Sequence, residues 1–313
     1  MKILSIIIPF NNGKKYLDRC LKNIEEIEYD DYEIILIDDF SNDNSEKIAQ
    51  EYKNIKYYYT KEETIGVGNA RNLGIEKANG KYIMFVDVDD TIEKDLFNNL
   101  EKHIKQDIDM IKYKMQIIKD KSYYIDGPVF DVINGEKAFN KLCFEDNYLD
   151  SPCLYLIKKE LFERNNLYFE KNVYHEDFGL IPLLLVNAKT VVSTNIYGYN
   201  YFQSENSIMR NKDYLKQIKK ANDKLFFYEQ LINKCSSMKL AQNTSDNLLE
   251  YYTNSIILSI KDLKKQDRII YENKIKEKGL LKNIRVNNIK KMIKKITLKF
   301  DMEFYFKTIK WNY

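Results

Sequence analysis

Three carboxylates follow directly after an apolar run in the first third of the chain. Residues 81–86 read Lys-Tyr-Ile-Met-Phe-Val, and Asp87, Asp89 and Asp90 come immediately afterwards. Because side chains alternate in direction along a strand, Asp87 and Asp89 would leave its end on the same side. Two carboxylates placed in this way can face one hard divalent cation, such as magnesium or manganese, which could hold a diphosphate.

A helix N-terminus is the alternative interpretation of the same residues. Asp90 and Thr91 precede residues 92–96, whose sequence Ile-Glu-Lys-Asp-Leu could begin a helix. Carboxylates are favoured at the positive end of a helix dipole, and Asp and Thr are common caps. These few residues leave both interpretations open, so the other strand ends of the N-terminal half bear on the choice.

The surrounding chain alternates between strand and helix patterns. Short apolar runs predict strands at residues 4–9, 33–37, 55–59 and 82–86. Helical spacing of apolar residues predicts helices at 14–28, 45–52 and 68–78. This βαβ order predicts an α/β fold with a mostly parallel sheet flanked by helices, and ligands at the carboxyl ends of its strands.

Polar residues follow three of these strands, at 9–12, 38–43 and 87–90. The sheet topology predicts that the three strand ends converge on a nucleotide site. The sequence has neither a Gly-rich fingerprint after its first strand nor a P-loop, so phosphates must be held in another way.

Four motifs of this region resemble, in order and spacing, those of family 2 glycosyltransferases with the GT-A fold. They lie at Ser5–Asn12, Ile37–Ser45, Gly66–Gly74 and Phe85–Asp90. The resemblance covers about residues 3–210. It implies a GT-A-type catalytic domain, a nucleoside-diphosphate-sugar donor, usually with UDP, and a divalent metal, usually Mn²⁺ or Mg²⁺.

The resemblance also implies roles for individual residues. Asp39 resembles the carboxylate that pairs with uracil, and Arg71 resembles the residue that contacts the diphosphate or the base. Asp87 and Asp89 resemble the ribose and metal ligands of a DxD motif. The residues implied to bind the nucleotide are Pro9, Phe10, Asn11, Asp39, Gly66, Asn69, Arg71, Asp87, Val88 and Arg210.

One departure from the family concerns the base. The family commonly has Tyr where this chain has Asn11, so the aromatic partner of uracil is either missing or supplied by Phe10 or by a tyrosine elsewhere. Without the resemblance, Arg71 could be an exposed helix charge, and Asp39 could belong to an ordinary turn in which Asp bonds its own backbone.

Residues 174–178, Tyr-His-Glu-Asp-Phe, precede an apolar run that predicts the start of a helix. Sugar transfer needs a base that takes the proton of the acceptor hydroxyl. This segment matches the family's Glu-Asp motif, which implies Asp177 as the base of an inverting displacement and Glu176 as an orienting or acceptor-binding residue. His175 is either an acceptor contact or a packed or solvated imidazole.

Two further segments resemble parts of the family's acceptor side. Residues 197–210 resemble an aromatic strand followed by a loop that closes over the donor, where Arg210 could contact the diphosphate. Residues 151–155 resemble the strand that supports the acceptor side, although a buried sheet edge would have the same composition.

The pattern changes beyond Tyr214, where residues 217–262 and 267–299 show helical apolar spacing. We therefore predict a GT-A catalytic domain at 1–213, with nucleotide-sugar binding in 1–100 and the acceptor side in 101–213. An α-helical add-on domain is predicted at 214–313.

Charge is unevenly distributed along the chain. The net charge is +3, but residues 281–313 hold nine basic and two acidic side chains, so that this segment carries +7 and the remainder −4. Ile289, Met292, Ile293 and Ile296 recur there at helical spacing. The helix could contact an anionic membrane or a partner subunit in a homodimer, or it could pack on its own protein with solvated lysines.

Composition limits the remaining classes of protein. The four cysteines lack metal-ligand spacing and fit a reducing cytosol, and no apolar run approaches the ~20 residues that span a bilayer. We expect a cytoplasmic protein, with contact to the inner face of the membrane left open, and no nucleic-acid partner.

The predicted function is an inverting, metal-dependent transfer of a hexose, with galactose or glucose favoured, from a UDP-sugar. The acceptor would be a sugar hydroxyl of a bacterial surface polysaccharide or of a glycoprotein O-glycan, such as GlcNAc on an adhesin. The alternatives are a nucleotidyltransferase and a non-enzymatic glycan-binding or membrane-docking module. A nucleotidyltransferase should show a basic Gly-rich loop near its first strand, and this sequence has none.

Overall fold

The computed structural model of the chain describes residues 2–119, 121–203, 213–235 and 237–308, without the side chains of Glu63 and Thr308. The described residues fall into two compact units, one on each side of the segment 204–212. The predicted domain boundary between residues 213 and 214 adjoins that segment and stays a prediction.

Four parallel strands form the first half of the sheet. They are β1 (Leu4–Phe10), β2 (Tyr32–Asp38), β3 (Ile55–Tyr59) and β4 (Tyr82–Phe85). The intervening helices are α1 (Leu17–Glu25), α2 (Ser45–Ala49) and α3 (Val67–Lys77), and a 3-10 turn spans Glu62–Thr64. The strand order is β3-β2-β1-β4. Every residue of β1 is buried, as expected for an Ile-rich parallel strand that is covered on both faces.

The second half of the sheet contains antiparallel pairs. Its strands are β5 (Thr91–Ile92), β6 (Met110–Ile118), β7 (Tyr123–Ile125), β8 (Phe130–Ile133), β9 (Tyr155–Lys158) and β10 (Val191–Phe202). Its helices are α4 (Leu96–Lys105), α5 (Gly135–Leu142), α6 (Lys159–Asn165) and α7 (Ile181–Asn187), with a 3-10 turn at Pro152–Leu154. Strand β9 runs antiparallel to β4 and β6, whereas β10 runs parallel to β6. The α/β fold with a helix-flanked sheet is confirmed, and the sheet is mixed on the predicted acceptor side.

The cap interpretation of Asp90 and Thr91 is wrong. Thr91–Ile92 forms β5, which pairs with β10, and α4 begins only at Leu96. The Asp90 carboxylate accepts hydrogen bonds from the Tyr199 hydroxyl and the Phe202 amide, both on β10. A long-range pairing has therefore taken the place of the local helix start.

The second compact unit is helical, as predicted. Its helices are α8 (Tyr214–Cys235), α9 (Gln242–Ser259), α10 (Lys265–Glu277), α11 (Ile289–Phe300) and α12 (Met302–Thr308), with a 3-10 turn at Leu280–Asn283. The helical spacing predicted at 217–262 corresponds to α8 and α9. Phe227, Tyr228 and Tyr305 are buried in this unit, so these aromatic side chains are core. Over the described ranges, no helix combines the length and apolar composition that crossing a bilayer requires.

Candidate active site

The loops that follow β1 and β2 are joined by hydrogen bonds at the carboxyl edge of the sheet. The Asn11 amide donates to the backbone oxygens of Asp39 (2.7 Å) and Phe40 (3.2 Å). The Asn12 backbone N–H donates to the Ser41 hydroxyl at 2.8 Å. Asn11 therefore fixes the loop that carries Asp39 and Phe40, a role that only the pairing of β1 with β2 could reveal.

Asp39 is buried at the start of this loop with both carboxylate oxygens engaged. The Thr60 hydroxyl donates to Oδ1 at 2.8 Å, and the Gly66 amide donates to Oδ2 at 2.8 Å. Burial raises the pKa of Asp39, and these two hydrogen bonds oppose the rise. Asp39 and Gly66, both predicted to bind the nucleotide, are thus in contact. Thr60, which follows β3, is a partner that the sequence did not predict.

The aromatic residues near Asp39 differ in exposure. Phe10 is buried and meets the Tyr57 ring edge-on, with 6.2 Å between ring centroids, so little of its ring is left to contact a base. Phe40, directly after Asp39, is 49% exposed and has a φ of 64°. This left-handed conformation is uncommon for a bulky side chain and is more often occupied by glycine.

Pro9 and Val88 lie on the walls of the same edge. Pro9 is buried in β1, in register with Ile37 of β2. Val88 is half-buried beside Gly13, where an added Cβ would come within 3.3 Å of the Val88 side chain. Neither residue offers a polar side chain, so their contribution here is shape.

Arg71 of α3 is a buried cation between two carboxylates. It donates to Asp87 Oδ1 at 3.1 Å and forms a short ion pair with Glu176. Its guanidinium also lies 5.4 Å from the centroid of the Phe169 ring. Although burial opposes the charge, the carboxylates of Asp87 and Glu176 hold the pKa of Arg71 above its ordinary value. Arg71 is therefore not an exposed helix charge, and it links the end of β4 to the Glu-Asp motif.

Two polar atoms on α3 are buried without a hydrogen-bond partner among the described residues. They are Asn69 Nδ2 and Arg71 Nε. Buried donors in native proteins nearly always have a partner. Both residues lie near the N-terminal end of α3, where backbone amides and the helix dipole favour anions. Each of the two donors thus has the capacity to bind an anionic group.

The carboxylates after β4 have different environments. Tyr199 donates its hydroxyl to Asp90 Oδ2 at 2.7 Å and accepts the backbone N–H of Asp87 at 3.2 Å. Asp90 is fully buried, and burial together with the charges of Asp87 and Asp89 raises its pKa to about 8. Asp90 and Tyr199 are thus structural supports for the turn, which leaves Asp87 and Asp89 nearer the surface.

Asp87 and Asp89 carry the carboxylate oxygens that a divalent cation prefers as ligands. Burial and the negative charge of Asp87 raise the pKa of Asp89, so this site holds negative charge that a cation would compensate. The described ranges contain no cluster of three or more side chains with metal-binding chemistry. Magnesium is commonly held by one or two carboxylates plus substrate phosphates and water, so two carboxylates meet that requirement.

The Glu-Asp motif lies in the turn that leads into α7. Glu176 is buried against Arg71; burial and the neighbouring Asp177 charge raise its pKa, and the Arg71 charge opposes the rise. Asp177 is half-buried, and its Oδ1 accepts the Phe178 amide at 2.8 Å. His175 adopts a left-handed φ of 59°, which turns the chain immediately before Glu176.

Gly68 lets α3 approach this motif closely. A Cβ at position 68 would lie 2.7 Å from the Glu170 backbone oxygen and 3.3 Å from Glu176 Cγ. The glycine therefore permits the close packing that brings Arg71 within reach of Glu176.

The structure brings most of the predicted residues into one connected group. Asp39 binds Gly66 at the N-terminus of α3, and Arg71 of the same helix binds Asp87 and Glu176. Arg210 and the donor-closing loop lie outside the described residues. Sequence reasoning missed Thr60, the supporting role of Asp90 and the anchoring hydroxyl of Tyr199. Thr60 follows strand β3, so the rule of ligands at strand ends could have found it.

Comparison with known proteins decides the family. The family model of Glycosyl transferase family 2 matches residues 5–165, which is just over half of the chain. The chain belongs to glycosyl transferase family 2. The match contains all four motifs of the N-terminal half, so the predicted family is confirmed.

Relatives of this family 2 glycosyltransferase come from several bacteria. Glycosyltransferase GlyG of Streptococcus pneumoniae is 29% identical over 67% of this chain and 74% of its own length. Cholesterol galactosyltransferase of Borreliella burgdorferi is 29% identical over 75% of this chain and 70% of its own.

A solved structure has the same fold. The crystal structure of Staphylococcus aureus TarS residues 1–349 in complex with UDP-GlcNAc superposes with a TM-score of 0.71 at 19% identity, covering 91% of this chain and 82% of that one. The likeness confirms a GT-A-type fold for the family 2 glycosyltransferase.

Proposed function

We propose that this glycosyltransferase transfers a hexose, with inversion, from a UDP-sugar to a sugar hydroxyl of a bacterial surface glycan or glycoprotein O-glycan. The observation that carries the proposal is the Arg71 bridge between Asp87 and Glu176. It joins the carboxylates suited to a metal diphosphate to the motif that contains the candidate base, so donor and acceptor functions share one edge of the sheet.

The donor would bind across the ends of β1, β2 and β4. Asp39 would accept the uracil N3–H, and Phe40 would stack on the base in place of the aromatic residue that Asn11 lacks. The partnerless donors of Asn69 and Arg71 would meet diphosphate or ribose oxygens. TarS, which shares the fold, was crystallised with UDP-GlcNAc, which favours a UDP-sugar donor here. Arg210 would contribute a further diphosphate contact.

Asp87 and Asp89 would hold Mn²⁺ or Mg²⁺, with Asp87 also near the ribose. When bound, such an ion offsets the negative charge that develops on the departing diphosphate. Arg71 supplies a second positive charge next to Asp87 whether or not a metal is present. Asp90 and Tyr199 keep this turn in place.

In the transfer step, an acceptor hydroxyl oxygen forms a bond to the anomeric carbon while the bond from that carbon to UDP breaks. Asp177 takes the hydroxyl proton, because a hydroxyl is a weak nucleophile at neutral pH. Glu176, fixed by Arg71, orients the acceptor with His175. Attack opposite the leaving group inverts the anomeric configuration.

The sugar and the acceptor are proposed from relatives. The cholesterol galactosyltransferase is named for the transfer of galactose, and TarS was crystallised with UDP-GlcNAc. We favour galactose or glucose as the donor sugar, and a sugar hydroxyl such as that of GlcNAc as the acceptor. Residues 1–100 would bind the donor and 101–213 would carry the acceptor side, with the helical domain at 214–313.

The test is UDP release by the full chain from UDP-glucose, UDP-galactose, UDP-GlcNAc and UDP-GalNAc, with Mn²⁺ and then with a chelator. We expect release from one hexose donor that the chelator abolishes. Release that persists in the chelator would overturn the metal assignment. If calorimetry shows that UDP binds, but no UDP is released from any donor even when oligosaccharide acceptors are added, a non-enzymatic glycan-binding module is favoured.

The variant Asp89→Asn tests the metal ligand directly. We expect loss of Mn²⁺-dependent release, because one of two anionic ligands is lost while the volume is kept. Asp131→Asn, on the exposed surface of β8, is the matched control and should retain full activity. Wild-type release from Asp89→Asn would remove Asp89 from the metal site.

A further inference from the structure

Helix α11 of the helical unit presents its apolar face to solvent. Its outward side chains form a stripe at helical spacing, which we call the apolar stripe: Ile289, Met292, Ile293, Ile296 and Phe300. Ile289 is 71% exposed and Phe300 is 77% exposed. Leu298 is the buried apolar side chain of this helix. An amphipathic helix of a globular protein ordinarily buries such a stripe.

The opposite, lysine-bearing face is the one that packs on the protein. Lys291 Nζ lies 2.9 Å from Glu250 Oε1, and Arg285 Nε lies 3.1 Å from Glu250 Oε2. Lys294 donates to the Asn254 side chain at 2.9 Å, and Lys295 donates to the Ile284 backbone oxygen at 2.8 Å. The helix is therefore attached through its polar face.

Glu250 explains why the helix faces this way. It lies on α9 and is 1% exposed, so its carboxylate needs cationic partners in place of water. Rotating α11 to bury the apolar stripe would remove Lys291 from Glu250 and leave a buried charge with one partner fewer. The electrostatics of the unit thus hold the apolar stripe outward.

Charge selects among the partners that could cover the stripe. Helix α11 contains five lysines and no acidic residue, and the exposed Lys290 and Lys299 flank the stripe. A second copy docked face to face would bring two such cationic helices together, which is electrostatically unfavourable. An anionic surface with an apolar interior satisfies both the lysines and the stripe.

We propose that the apolar stripe of α11 docks on the surface of an anionic lipid bilayer. The helix lies in the plane of the interface, with the stripe inserted at the boundary of headgroups and acyl chains and the flanking lysines on the anionic headgroups. The inference is independent of the sugar or acceptor used.

Sedimentation of the full chain with lipid vesicles tests the proposal. We expect binding to vesicles of phosphatidylcholine with about a third phosphatidylglycerol, weak binding to pure phosphatidylcholine, and release as salt rises. Ile293→Glu should weaken binding at least about tenfold, because it removes buried apolar area and adds a repelled charge. Lys290→Glu with Lys299→Glu should weaken binding to the anionic vesicles only.

Ile270→Glu on α10 is the matched control, since Ile270 is 53% exposed and Ile293 is 54% exposed. It should bind like the wild type, and circular dichroism should show both variants folded. An equal loss in the control would remove the specific role of the stripe.

Two other results would overturn the proposal. In the first, analytical ultracentrifugation shows that the wild type is a dimer and Ile293→Glu a monomer, and the wild type does not bind vesicles. The apolar stripe would then be covered by a second copy of the chain. In the second, the chain binds vesicles only after residues 309–313 are deleted. The apolar stripe would then be covered by that terminal segment.

Discussion

At the scale of single residues, Arg71 is the side chain on which the candidate site depends. It is buried with Asp87 on one side and Glu176 on the other. Removing one partner from a buried ion pair typically costs roughly 3–5 kcal/mol, because the remaining charge is left without compensation. A lysine could not replace it, since one ammonium cannot reproduce the planar fork that reaches both carboxylates.

Phe40→Gly should change stability and nucleotide binding in opposite directions. A φ of 64° is strained for Phe and unstrained for Gly, so the free energy of unfolding should rise by up to about 1 kcal/mol. If Phe40 stacks on the base, the same change should weaken UDP binding about tenfold. Urea unfolding and calorimetry with UDP measure the two effects.

Phe40→Leu is the control for that comparison. It keeps a side chain in the strained conformation and removes the ring, so it should weaken UDP binding without stabilising the protein. UDP affinity that is unchanged in both variants would exclude Phe40 as the base's stacking partner.

Asp177→Asn should separate binding from transfer. The amide keeps the size of the side chain and an oxygen for the Phe178 N–H, but it cannot accept the acceptor's proton. UDP affinity should stay within about twofold of wild type while transfer falls by 10²–10⁴, the usual contribution of a general base. If UDP affinity fell by the same factor as the rate of transfer, Asp177 would instead be a structural residue.

At the scale of secondary-structure elements, the amino ends of the parallel strands are fastened to Glu33. The Ser5 hydroxyl of β1 and the backbone N–H of Asn79, before β4, donate to Glu33 Oε1 at 2.5 and 2.6 Å. Lys56 of β3 lies 2.6 Å from Glu33 Oε2. Three strands and the turn before β4 thus meet at one carboxylate, at the edge away from the candidate site.

Glu33→Gln should destabilise the protein in a pH-dependent way. Burial opposes the charge, but bonds from Lys56, Ser5 and Asn79 lower the pKa of Glu33 to about 2, below its ordinary 4.5. The carboxylate's stabilisation is therefore complete above about pH 4.5 and is lost as the pH falls towards 2. We expect about 1–3 kcal/mol between wild type and variant at pH 7.

Urea unfolding from pH 7 to pH 2.5 measures this difference. Glu26→Gln, on an exposed position after α1, is the control and should leave stability unchanged. A gap between wild type and Glu33→Gln that stayed constant across this range would show that the carboxylate's charge contributes nothing.

At the scale of the whole molecule, charge separates along the chain. The net charge is +3, with +7 in residues 281–313 and −4 in the remainder. The negative part includes the Asp87 and Asp89 pair, which suits a metal cation, and the positive part includes the lysines that flank the apolar stripe. Divided at the boundary of the two compact units, residues 1–207 carry a net charge of −10 and residues 208–313 one of +13, so the units have opposite net charge.

UDP and Mn²⁺ together should stabilise the protein more than either alone. A ligand at 100 times its Kd adds about 2.7 kcal/mol to the free energy of unfolding, or several degrees in Tm. The rise should disappear in Asp39→Asn if that carboxylate pairs with the base. Calorimetric melting curves measure it, and an equal rise with UDP in a chelator would contradict a metal-bridged diphosphate.

The sequence by itself determined the parallel half of the sheet and the family. Strands β1 to β4 are short apolar runs that end in polar residues, and both signals are local, so they survive without tertiary information. The expectation that strand alternation puts Asp87 and Asp89 on a common side was wrong, because β4 ends at Phe85 and both residues lie in the turn that follows.

Only the tertiary structure decided the partners of charged side chains. From the sequence alone, Arg71 could be an exposed helix residue and Asp90 could be a helix cap. In the structure both are buried, by strands or loops that are distant in sequence. The periodicity of α11 defined an apolar and a lysine face without saying which one packs. Glu250, buried on another helix, decided that question, because a buried charge must find its partners wherever the fold brings them.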